Sequence, residues 1–223
     1  MIGIILAGGK SLRLPHKILL PQREIKYRPI IASSIDCTLF CDLTYIFVNK
    51  TEEKFLYEFL NNLHLLRNNI RFLIDNYNGI VSAISIIAKK HPKELLFILC
   101  GDNVYNFNEI NDKIKKYEEQ AVIKSCNLEE AKNLSIYDSS IKKYIRHSTV
   151  EHQILLCQKL FYYEILISPW ILRAKRFLKE NILNQYIEDI LTKWQIPATL
   201  LNTKFWYDIG TFESYEKYIT KKS

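Results

Sequence analysis

The chain has 223 residues, 48% of them hydrophobic, enough to bury a core as one domain spanning 1–223 without help from disulfides or metals. No apolar run is long enough to cross a bilayer, and five cysteines with no CxxC pair suggest neither a disulfide framework nor a zinc site. The net charge of +7 leaves nucleic acid, an anionic membrane surface and small phosphorylated substrates as possible partners, and the cations are spread along the chain rather than gathered into an arm.

Ile2 to Leu6 reads as a buried strand. It lacks a basic start and runs straight into glycines, unlike a signal peptide, so a cytoplasmic protein is expected. The region from Ile30 to Leu39 reads as a helix, and Cys37 and Cys41, at helical spacing, read as buried thiols. Leu43 to Val48 is a strand, and Glu52 to Leu63 a helix with Phe55, Phe59 and Leu63 on one face. Ile70 to Ile74 is a strand, Asn76 to Gly79 a turn, and Ile80 to Lys90 a helix. Leu95 to Cys100 is a strand, and Ile110 to Tyr117 lies in a helix. This alternation predicts an α/β fold, a Rossmann-like and mainly parallel sheet with helices on both faces.

The second half is less regular and reads as an irregular β insertion followed by helices. Tyr137 to Arg146 and Gln153 to Tyr163 are expected as paired strands. Trp170 to Leu178 and Asn184 to Trp194 look helical, Pro197 to Leu201 starts a late strand, and Thr211 to Tyr218 closes the chain as a helix. His147 and His152 have no carboxylate or thiol companions and suggest no metal site.

The first chemistry-bearing string is LAGGKSLRLPHK at 6–17, directly after the first strand. Ala7, Gly8 and Gly9 let backbone N–H groups approach a polyanion, so Leu6, Ala7, Gly8, Gly9, Lys10, Ser11 and Leu12 form a candidate nucleotide-binding loop. Arg13 offers a two-pronged fork for phosphate oxygens and Lys17 a point charge. The string is neither GxGxxG nor GxxxxGK[ST], which speaks against hydride transfer and P-loop hydrolysis. Two aspartates follow apolar segments. Asp102 comes after Gly101 in LLFILCGDN, and Asp208 lies in WYDIGTFESY, where Thr211 can cap the last helix. Carboxylates at strand ends suit Mg²⁺, which takes one or two of them together with substrate phosphates. A further turn, NGIVSAI, opens a helix at Gly79, with Ser82 in its first turn.

Together these strings resemble the nucleotidyltransferases that make nucleotide sugars, whose loop runs LAGGxGTRLxPxTxxxPK and whose later motifs are GD and W.DIGTPESY. Ser11 stands for the usual glycine and Leu12 for threonine. RLPHKILLP is closer to cytidylyltransferases of acidic sugars, and the AGGxSxR part is similar to molybdenum-cofactor guanylyltransferases. Arg28-Pro29-Ile30-Ile31 corresponds to the family's GKPMI segment. The resemblance implies the nucleotide-diphospho-sugar transferase fold. It also implies catalytic roles for Arg13, Lys17 and Asp102, with Mg²⁺ held by Asp102 and Asp208. Gly79, Ser82 and Gly101 join the loop in binding the nucleotide. The partners implied are a nucleoside triphosphate, a pyrimidine in preference to a purine because GDN is typical of thymidylyl- and uridylyltransferase-like members, and a phosphorylated small-molecule acceptor, with no nucleic acid and no membrane. The family's EKP motif has no counterpart. Around its place the chain reads IKKYIRHST, so Lys142, Lys143 or Arg146 is the cation available for the acceptor, which need not be a sugar.

Two other classes compete. A catalytically silent nucleotide-binding relative would explain the altered loop, but Arg13, Lys17, Asp102 and Asp208 together argue against it. A nucleic-acid binder would explain the net charge, but the chain has no recognition helix, RNP-type strand or zinc finger.

Overall fold

The computed structural model describes all residues except 10–13, 15, 24–27, 77, 115–116, 159–161, 179–181, 183–184, 202–205 and 221–223. The first half alternates β1 (Ile2–Leu6), α1 (Ile31–Cys37), β2 (Leu43–Val48), α2 (Glu53–Asn62), β3 (Ile70–Ile74), α3 (Ile80–Lys90) and β4 (Leu95–Cys100). Two-residue β5 (Asn103–Val104), α4 (Phe107–Lys113), β6 (Gln120–Cys126) and α5 (Leu128–Ala131) follow. The second half continues with β7 (Ile136–Asp138), β8 (Lys143–Ile145), α6 (Val150–Cys157), β9 (Tyr163–Arg173), α7 (Ile187–Lys193), β10 (Ala198–Leu201), β11 (Tyr207–Asp208) and α8 (Phe212–Thr220).

The main sheet runs β10-β6-β9-β4-β1-β2-β3, with the β7–β8 hairpin attached to β9. β1 is central and parallel to both neighbours, with Ile4 facing Tyr45 on one side and Ile98 on the other. β9 alone among the seven runs antiparallel to its neighbours, β4 and β6. Alternate residues of these strands supply two cores. Ile5, Ile46, Phe97 and Leu99 pack with Ile31, Ile35, Leu56 and Leu60 of α1 and α2. Ile4, Tyr45, Phe47 and Ile98 pack with Val81, Ile84 and Ile87 of α3 on the other face. Strands apolar on both sides therefore sit between helix layers, as expected for a mainly parallel sheet. Each fully buried Leu or Ile contributes about 1.5–3 kcal/mol. No helix among the described residues is long and apolar enough to cross a membrane.

The second half corrects several expectations. Gln153 to Tyr163 is not a paired strand. Thr149 Oγ1 accepts from the His152 N–H at 3.2 Å and starts α6 instead. His152 is fully buried, its Nε2 lying 3.1 Å from the Ala131 carbonyl and 3.0 Å from that of Leu134, which gives it a structural place. Trp170 to Leu178 is not one helix. Trp170, Ile171 and Leu172 continue β9 against Ile98, Phe97 and Leu96, and only Ala174–Leu178 turns into a 3₁₀ segment. Burial on both faces of β9 removes the alternation that marks a strand. Tyr137 to Arg146 is a tight hairpin of two short strands. The helix expected to contain Ile110 to Tyr117 runs only over Phe107–Lys113: it starts early because the Asn106 side chain accepts from the Glu109 N–H at 3.2 Å, and it stops where Ile114 turns extended.

Candidate active site

The parallel strands all end on one edge of the sheet, and the candidate residues emerge there. The Gly101 N–H donates to the Leu6 carbonyl at 2.9 Å, which locks the segment after β4 onto the start of the glycine loop. A Cβ at Gly101 would lie 2.8 Å from the Cβ of Ala7, so this approach requires glycine. A Cβ at Gly8 would run into the side chain of Asp75, which leaves the end of β3 beside the loop. Asn49, after β2, donates to the Gly9 carbonyl at 3.1 Å and to Glu52 at 3.1 Å. Lys10, Ser11, Leu12 and Arg13 lie outside the described residues.

Lys17 sits in a 3₁₀ turn (Lys17–Leu19), and its ammonium forms an ion pair with the carboxylate of Asp102. Asp208 reaches the same place through β11, which pairs antiparallel with β5 and sets Asp208 opposite Asn103. The Ile209 N–H donates to the Asp102 carbonyl at 2.9 Å, and the Asn103 amide donates to Asp208 Oδ1 at 3.0 Å. A small third core of Leu14, Ile30, Val104, Ile209 and Tyr218 ties these segments to the start of α1 and to α8. The structure thus brings Leu6, Ala7, Gly8, Gly9, Lys17, Gly101, Asp102 and Asp208 to one edge. Gly79, at φ 86°, opens α3 with open space where a Cβ would be, and Ser82 is half-buried in that helix's first turn.

Asp102 and Asp208 on adjacent segments, both part-exposed, offer the hard-oxygen pair that suits Mg²⁺ when phosphates and water complete its shell. Among the described residues no group of three or more His, Cys, Asp or Glu could hold a metal unaided. Beneath the carboxylates, burial, reinforced by the charges of Asp102 and Asp208, pushes the Cys100 thiol up to about 12 and keeps it neutral.

None of the three cations considered for the acceptor lines the cleft at Asp208. Lys142, at φ 52°, is the last residue of the β7–β8 hairpin turn and lines a separate cavity with Tyr137 and Gln195. Lys143 pairs with Glu151 at 2.7 Å, and the Arg146 guanidinium lies 3.6 Å from the centre of the Tyr186 ring. The cleft that Asp208 does line, about 630 Å³, contains Lys124, Asn127, Glu130, Trp206 and Ser214. Lys124 Nζ lies 3.3 Å from Glu130 and 5.7 Å from the centre of the Trp206 ring. Sequence reasoning missed Lys124 because β6 itself went unassigned. It missed Asp75 because that residue belongs to no motif.

The sequence matches no family model, and no curated protein matches it. Solved structures do share its fold. A Bacillus anthracis protein assigned as a glucose-1-phosphate thymidylyltransferase, in complex with sucrose, superposes with TM-score 0.73 at 18% identity, covering 98% of this chain and 94% of that one. A UDP-glucose pyrophosphorylase with UDP-glucose gives 0.72 at 17%, covering 98% and 96%. HddC from Yersinia pseudotuberculosis gives 0.67 at 16%, covering 98% and 97%.

Proposed function

We propose that this chain is an Mg²⁺-dependent nucleotidyltransferase that condenses a nucleoside triphosphate with a sugar 1-phosphate, giving a nucleotide sugar and pyrophosphate. The observation that carries this reading is the convergence of Lys17, Asp102 and Asp208 beside the glycine loop on the carboxyl edge of the sheet. The fold shared with a UDP-glucose pyrophosphorylase and a thymidylyltransferase supports it.

The acceptor phosphate is already anionic at neutral pH, so no side chain has to remove a proton. Catalysis then consists of positioning and charge neutralisation. The loop backbone and Arg13 hold the departing pyrophosphate. Lys17, freed from Asp102 as phosphate oxygens arrive, stabilises charge on the α-phosphate. Asp102 and Asp208 hold Mg²⁺, which when bound supplies Lewis-acid polarisation of phosphate oxygens and a template for their geometry. The cleft at Asp208 receives the acceptor, with Trp206 as its apolar wall and Lys124 as the cation for the acceptor phosphate. The preference for a pyrimidine rests on the Gly101-Asp102-Asn103 string alone. A second reading, a cytidylyltransferase acting on a non-sugar or acidic-sugar phosphorylated acceptor, is favoured by the RLPHKILLP string and by the lack of an EKP motif.

Pyrophosphate release in the presence of Mg²⁺ tests both readings, with dTTP, UTP, CTP, GTP and ATP screened against phosphorylated sugars and non-sugars. Release that requires one triphosphate and one acceptor is the expected result, and Asp102→Asn should abolish it in a protein that still folds. Near-normal turnover by Asp102→Asn, or no binding of any triphosphate, would refute the proposal.

A further inference from the structure

β9 is regular except at one point. Trp170 faces Ala121 of β6, yet the next β6 residue, Val122, faces Ile167, so Ser168 and Pro169 have no partner on β6. Two residues on one strand with no counterpart on the other make a bulge, and a bulge redirects a side chain out of the regular alternation. Pro169 fits there because it has no N–H to leave unpaired.

The redirected side chain is Ser168, which is 2% exposed. Its hydroxyl donates to Asn103 Oδ1 at 3.0 Å and lies 2.5 Å from the Tyr105 hydroxyl. With the Ser168 proton given to Asn103, the shared contact is bridged by the one Tyr105 proton, which Ser168 Oγ accepts in competition with the Cys100 carbonyl at 3.1 Å; the Tyr105 hydroxyl lies 3.4 Å from Asn103 Oδ1. The Cys100 N–H points at both hydroxyls, 3.1 Å from that of Tyr105 and 3.3 Å from that of Ser168. Asn103 is 4% exposed and Tyr105 8%, so water does not compete for these bonds.

The direction of this network follows from what each group can do. Two hydroxyls face one side of the Asn103 amide, and a carboxylate, which can only accept, faces the other. The amide oxygen must turn to the hydroxyls and its NH₂ to Asp208. The opposite flip would set an oxygen against the Asp208 carboxylate and take from the Ser168 hydroxyl its acceptor.

We infer that Ser168 and Tyr105 are positioning residues for the metal site: through Asn103 they fix the orientation of the Asp208 carboxylate that receives the divalent ion. The inference rests on the metal reading of Asp102 and Asp208 above. Neither residue touches substrate or ion, and each acts through the side chain beside it. Partners of this kind typically change metal affinity by about 10–100-fold when removed.

The test is Mn²⁺ binding to the full chain, followed by loss of the free-ion paramagnetic resonance signal, which needs no turnover. Ser168→Ala should weaken binding by about tenfold, the lower end of that range. Ser168→Thr, which keeps the hydroxyl, should restore much of it. Tyr105→Phe, which keeps the ring, should give a smaller loss and stands in if Ser168→Ala does not fold. In an Asp208→Asn background Ser168→Ala should have no further effect, which separates positioning from general loosening. Unchanged Mn²⁺ affinity in both Ser168→Ala and Tyr105→Phe, with binding weakened by Asp208→Asn, would overturn the inference and leave the metal reading intact. Unchanged affinity in Asp208→Asn would overturn both.

Discussion

The approach of Gly101 to Ala7 sets up a double-mutant test. A methyl group at Gly101 would sit 2.8 Å from the Ala7 Cβ, 3.3 Å from the Ala7 Cα and 3.3 Å from the Leu6 carbonyl. Two of these are backbone atoms at the end of a central strand and cannot rotate away. Overpacking of this kind costs about 1–3 kcal/mol. At roughly 2–4 °C per kcal/mol for a chain this size, Gly101→Ala should lower Tm by about 2–12 °C. Because Asp102 is the next residue, the displacement should also reduce pyrophosphate release. Ala7→Gly alone costs about 0.5–1 kcal/mol in backbone entropy. It removes the nearest clashing atom and leaves the two backbone contacts at 3.3 Å, so the double variant should lose less than the sum of the two single losses. Denaturation curves for the four proteins measure this directly. Additive losses, or a Gly101→Ala protein as stable as the parent, would show that the contact between loop and strand end does not hold the site in place.

Two other consequences can be checked separately. Lys124→Ala should raise the KM for the acceptor by about tenfold, the scale of one charge-assisted contact, and leave the KM for the triphosphate unchanged. Steady-state kinetics with each substrate varied in turn will show whether the cleft at Asp208 is the acceptor side. Burial, with help from Glu130, pushes the Cys126 thiol up to about 12, whereas Cys157 is exposed. Alkylation of the folded protein at pH 9, read by mass spectrometry of peptides, should therefore modify Cys157 first and leave Cys126 unmodified until denaturant is added. Equal labelling of the two would contradict the packing around β6.

The first half of the fold was readable because its signals are local. Ile2–Leu6, Leu43–Val48, Ile70–Ile74 and Leu95–Cys100 are short apolar runs ended by turn residues, and the structure has strands at those same bounds. The second half depends on long-range pairing. Trp170 to Arg173 looks helical by composition and is a strand only because β4 and β6 flank it. Gln153 to Cys157 looks like part of a strand and lies in a helix because Thr149 caps it and His152 finds two carbonyls.

The site divides along the same line. Asp102 and Asp208 stand in strings whose glycines and aromatic neighbours could be recognised in order along the chain. What the strings do not encode is the contact between them. That contact depends on two-residue β5 and β11, too short to carry a periodic signal, and on the five-residue core around Ile209 and Tyr218. Lys124, Asp75 and Ser168 carry no motif because their roles come from placement, on an interior strand, at a strand end and at a bulge. A serine on an apolar strand is unremarkable until the missing partner on β6 turns it towards Asn103. The sequence can therefore reveal which atoms are available for chemistry, while the orientation of those atoms is set by irregularities in the sheet that only the packed structure displays.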